Sequence, residues 1–115
     1  AGHSLVASEL VIVEFASVVA RKLREKAVAK RGAKEALELF KSHVQEGAIE
    51  TLKLESSVLE AAARMLSECH DSIPLRTLDA LHLAACKEHK LFPLLTLDKI
   101  MISAASHFNI PLAKA

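Results

Sequence analysis

The chain has 115 residues, 51% hydrophobic and 25% charged, an ordinary globular composition that excludes disorder and predicts one domain over 1–115. Four Phe with no Trp or Tyr exclude a reader that stacks successive bases on aromatic platforms. A net charge of +1 argues neither for nor against a polyanionic partner and leaves that question to local pattern.

In chain order, "HSLVAS" (3–8) is short and partly β-favouring, and Ser8 is a suitable N-cap for a helix beginning after it. A long helix is predicted from Glu9 to about Arg31. Ile12, Phe15, Ala16, Val19, Leu23 and Ala27 recur at helical spacing, and Gly32 ends it. "AKEALELFKSHVQE" is a second amphipathic helix stopped by Gly47, and "AIETLKL" (48–54) alternates as a strand does. "ESSVLEAAARMLSECH" is a third helix, Asp71 to Pro74 a turn, and Arg76 to Lys90 a fourth helix. "FPLLT" (92–96) reads as a strand buried on both faces. Asp98 opens a last helix to about Phe108, and "NIPLA" is a final strand. Helices alternating with brief apolar strands predict an α/β fold, a parallel sheet covered by helices.

Cys69 and Cys86 lack the paired spacing of metal knuckles, so free thiols in a reducing cytoplasm are expected. No apolar run reaches the roughly 18 residues of a membrane span, and no secretory signal is visible, which predicts a cytoplasmic protein with no membrane partner.

Three acids interrupt apolar surroundings. Glu14 stands inside "LVIVEFASVVA", where the plain alternative is a solvent-side carboxylate with Arg21 and Lys22 two turns on. Asp79 sits in "LRTLDALHLAAC", and a carboxylate buried without a partner is costly, so it must face water, a cation or a donor. Asp79, His82 and Cys86 share one helical stripe. A zinc site there lacks a fourth ligand, so packing is the better reading of His82 and Cys86. Asp98 follows "LLT" at the carboxyl end of a predicted strand, where α/β folds keep ligands, but it can equally cap the next helix. The cations Arg21, Lys22, Arg24, Lys26, Lys30 and Arg31 form a run that is either a solvated face or a phosphate contact, and Arg76 is placed to pair with an acid or to touch a phosphate.

Together these blocks resemble the PIN domain, the fold of toxin nucleases in toxin–antitoxin pairs and of several RNA-processing nucleases. "VASELVIVEFASVVAR" looks like the family's second strand and the helix bearing its first helical acid, here Glu14. "LRTLDALHLAAC" is similar to the helix L-R-x-x-D-A-L-H-L-A-x-A and places the next acid at Asp79. "LLTLDKIMISAASHFNIPL" is similar to T-x-D-x-x-L-x-x-A-A-x-x-x-G-I, with Asp98 as the last acid and Thr96 as the accompanying hydroxyl.

The resemblance implies a mostly helical three-layer α/β/α fold with a short parallel sheet. It implies that Glu14, Asp79 and Asp98 are catalytic and hold Mg²⁺ or Mn²⁺ at the carboxyl edge of that sheet, and that Thr96, Arg76 and Ser8 bind substrate. The implied activity is metal-dependent endoribonuclease cleavage of RNA phosphodiester bonds. The implied partners are RNA, an antitoxin protein and a second copy in a homodimer.

The sequence departs from the family at one point. No D-T-S stands in it, so the family's opening strand and helix, with the first of four acids, are read as absent. That opening strand would lie between "HSLVAS" and "FPLLT", and the expectation is that a separate fragment, a swapped segment or direct pairing of those two strands takes its place. The alternative function is a non-catalytic PIN-like module that binds RNA or a partner protein. A plain helical interaction module is the third reading, and it leaves the central carboxylates of two apolar helices unexplained.

Overall fold

The computed structural model describes residues 5–113, and the chain forms two compact units, one ending at Lys53 and the other beginning at Leu54. The first holds strand β1 (Leu5–Ser8), helices α1 (Leu10–Arg24) and α2 (Lys30–Gln45), and strand β2 (Ile49–Leu52). β1 and β2 pair in parallel, from Leu5 opposite Ile49 to Ser8 opposite Leu52. Parallel neighbours need a crossover, and the α1–α2 pair supplies it. Phe15 of α1 stacks on Phe40 of α2 with ring centroids 4.4 Å apart, and Val19 and Ala33 are buried.

The first helix, expected over 9–31, ends at Arg24, and the second begins at Lys30, ahead of the expected start after Gly32. α1 stops at Arg24 because Lys26 takes the left-handed conformation at φ 57°. The Lys26 amide then donates to Leu23 O and the Ala27 amide to Lys22 O, the double closure of a Schellman motif. The apolar period runs on to Ala27 without a break, and no Gly or Pro marks the turn. Gly32, the expected terminator, lies instead in the first turn of α2. Gly47 (φ 82°) ends α2 as expected.

The second unit is built from α3 (Ser56–Glu68), α4 (Thr77–Glu88) and α5 (Lys99–His107). α3 buries Val58, Ala61, Ala62 and Met65, which fall on one helical stripe. It packs on α4, whose Ala80, Leu83, Ala84 and Ala85 are buried, and Met101, Ala104 and Ala105 of α5 complete the core. Alanine on each helix lets the backbones approach closely around the few large side chains.

"FPLLT" is not a strand buried on both faces. Leu94 alone pairs in parallel with Leu112, its amide donating to Pro111 O and its carbonyl accepting from the Ala113 amide. Phe92 and Leu95 are 44% and 64% exposed. Apolarity alone predicted burial there, but a single bridge gives those side chains no sheet face to lie on.

α4 and α5 close as α1 does, with Lys90 (φ 52°) and Asn109 (φ 58°) left-handed. Leu91 N donates to Cys86 O and Ile110 N to Ala105 O. Left-handed backbone costs a non-glycine residue about 1–2 kcal/mol. Lys90→Gly therefore stabilises the fold by about 0.5–1 kcal/mol after the extra unfolded-chain entropy of glycine is subtracted. The Tm of the variant should exceed that of wild type; a fall would mean that the lysine side chain contributes more than its backbone costs.

The architecture is a mostly helical α/β fold with a short parallel sheet, as the family resemblance implied.

Candidate active site

Glu14 lies in the second turn of α1 and is half-buried, although Val13 beside it is exposed. Arg21, two turns on, pairs through Nε with Glu25 at 3.7 Å.

Asp79 is only 9% exposed. It occupies the first turn of α4, and its Oδ2 accepts from the Arg76 amide at 3.3 Å and from Arg76 Nε at 3.2 Å. The first bond is one half of a capping box, in which the third residue of a helix reaches back to the N-cap amide. Arg76 cannot complete the other half, since a guanidinium accepts nothing. The carboxylate thus faces a cation and an amide, at the helix end where negative charge is favourable. Of the two roles open to Arg76 from sequence, pairing with an acid is the one observed. The Arg76 side chain is 69% exposed, so water screens the pair and its main effect is to fix the carboxylate's direction. The second oxygen, Oδ1, has no donor among the described residues. No buried side-chain oxygen lacks a partner among those residues, so Oδ1 keeps contact with solvent.

Asp98 is the N-cap of α5. Its Oδ1 accepts from the Met101 amide at 3.0 Å, while its own amide donates to Thr96 Oγ1 at 3.1 Å. Thr96 is half-buried and shapes the turn that presents Asp98. The helix-capping reading is therefore realised, yet it uses one oxygen only. In Asp79 and Asp98 alike, one carboxylate oxygen is tied to the helix end and the other has no donor among the described residues.

Ser8 is buried. Its Oγ accepts from the Leu10 amide at 3.2 Å, and Glu9 rather than Ser8 holds the N-cap position of α1. His82 is half-buried. Cys86 is buried and its Sγ donates to Leu91 O at 2.9 Å, while burial pushes the thiol above its ordinary value. Burial and the Sγ–H bond to a main-chain carbonyl fit the packing reading of Cys86.

Within either unit, no three His, Cys, Asp or Glu side chains gather at one point among the described residues. The donor chemistry is nonetheless that of a hard cation: carboxylate oxygens, two of them free of donors among the described residues and each held in direction by its partner oxygen. Carboxylate oxygens suit Mg²⁺ and Mn²⁺.

The family model for the PIN domain matches residues 1–106. This chain belongs to the PIN domain family. Comparison with curated proteins and with solved structures gave no match. Membership places this PIN chain in a nuclease-like superfamily whose members generally depend on divalent metal. No helix among its described residues is long and apolar enough to cross a membrane.

Proposed function

We propose that this PIN domain is a metal-dependent endoribonuclease that hydrolyses RNA phosphodiester bonds, with Glu14, Asp79 and Asp98 as its acids. The observation that carries the reading is Asp79: a carboxylate almost fully buried on an alanine- and leucine-rich helix, fixed through Oδ2 and open to solvent through Oδ1. Burying a charge is costly, and a structural cap needs only the amide contact that an exposed residue could make as well.

A bound Mg²⁺ or Mn²⁺ would lower the pKa of its water and neutralise charge developing on the phosphate. The protein's own part is to aim the oxygens. Arg76 and the α4 amide aim Asp79, while Thr96 and the α5 amide aim Asp98. Arg76, with its largely exposed guanidinium, is also a phosphate contact within reach of Asp79. Action as the toxin of a toxin–antitoxin pair, with an antitoxin partner and a homodimeric assembly, belongs to the same proposal and rests on the motif resemblance.

The test is cleavage of a mixed-sequence RNA. Cleavage should appear with Mn²⁺ or Mg²⁺ and vanish with EDTA. Cleavage that persists in chelator, or none with either ion, removes this reading and favours the non-catalytic alternative.

A further inference from the structure

Charge along this chain is far from even. Residues 21–35 contain seven basic side chains and two acids, a net +5, and since the whole chain carries +1, the other 100 residues carry −4. The sequence alone suggested a stripe along one helix. The break at Lys26 changes that: Arg21, Lys22 and Arg24 end α1, Lys30, Arg31 and Lys34 begin α2, and Lys26 stands in the turn between.

All seven side chains are exposed. The two acids are spent locally, Glu25 on Arg21 at 3.7 Å and Glu35 on Arg31 at 3.2 Å. Lys22, Arg24, Lys26, Lys30 and Lys34 have no ion pair among the described residues. Like charges crowded on one corner repel, and that repulsion is relieved when a polyanion binds and its counterions are released.

We infer that the α1–α2 corner is a docking surface for the phosphate backbone of single-stranded RNA. The inference rests on the nuclease reading for the identity of the polyanion. An acidic protein is the other occupant of such a corner, but protein interfaces are depleted in lysine and built around apolar or aromatic anchors. Here four of the five uncompensated cations are lysines, and no aromatic residue lies between 21 and 35. Without aromatic platforms or base-reading amides the contact is to phosphates, so binding is indifferent to sequence.

The test reads binding of a labelled mixed-sequence single-stranded RNA in EDTA, so that no cleavage occurs, across a salt series. The variant Lys22→Gln/Arg24→Gln/Lys26→Gln/Lys30→Gln should bind at least about tenfold more weakly at 0.1 M salt. Its slope of log K against log salt should be shallower by about 2 to 3, near 0.7 for each phosphate that is no longer neutralised. The opposite variant, Glu25→Gln/Glu35→Gln, releases Arg21 and Arg31 and should bind more tightly with a steeper slope; it keeps the test decisive if the first variant folds poorly. Unchanged affinity and slope in a folded glutamine variant overturn the assignment. Polyglutamate displacing RNA at equal charge concentration overturns it too, by giving the corner to an acidic protein. Salt-dependent binding through the corner with no metal-dependent cleavage supports the corner and refutes the nuclease reading. Cleavage by a protein whose glutamine variant binds normally refutes the corner alone.

Discussion

Asp79→Asn should reduce metal-dependent RNA cleavage by more than about 100-fold while leaving the fold intact. Groups that merely orient a metal's ligands cost about 10–100-fold when removed, and removal of a ligand charge costs more. The fold should survive because an asparagine carbonyl can still accept from the Arg76 amide, the bond that Oδ2 makes now. The same variant separates chemistry from structure in a second way. An ion that binds only the native state stabilises it by RT ln(1 + [L]/Kd), about 2.7 kcal/mol at a hundred times Kd. Wild type should therefore melt at a higher temperature as Mn²⁺ rises, and Asp79→Asn should not. Equal responses of the two proteins to Mn²⁺ would show that the ion sits away from Asp79.

Leu83→Ala should be the most damaging single substitution in the second unit. Leu83 and Val58 are the largest side chains with no exposure among the described residues, and both lie in the core of α3, α4 and α5. Seven of the other twelve buried residues of that core are alanines, which are too short to close over a void. Truncating a leucine to alanine at such a site costs about 2–5 kcal/mol. Against a total of roughly 5–15 kcal/mol this is a large fraction, and it corresponds to a fall in Tm of roughly 10 °C or more. Leu97→Ala, at a leucine 81% exposed, should stay within about 0.5 kcal/mol of wild type. Similar melting curves for the two variants would mean that the core is not where these helices place it.

Most helix boundaries were legible in the sequence because their signals are local. Gly47 closes α2, Asp98 caps α5, and the 3.6-residue apolar period marks α3 and α4 to within about two residues. The three acids were legible for a related reason: a charge inside an apolar helix or after an apolar strand stands out against its neighbours, whatever the fold.

What the sequence left open depends on partners distant in the chain or on backbone choices without a residue signature. The α1–α2 break falls on Lys26, a residue that does not favour the left-handed region, and an uninterrupted apolar period hid it. "FPLLT" has the composition of a buried strand, but whether it becomes one depends on the segments beside it, and here only Leu94 finds a partner. The acids show the division most directly. The chain's own order placed Glu14, Asp79 and Asp98 where chemistry is plausible. Only the folded turns decided which of the roles open to each acid is taken, Asp79 turning one oxygen to Arg76 and Asp98 one to Met101, because hydrogen-bond direction is set by backbone geometry that residue identity alone does not carry.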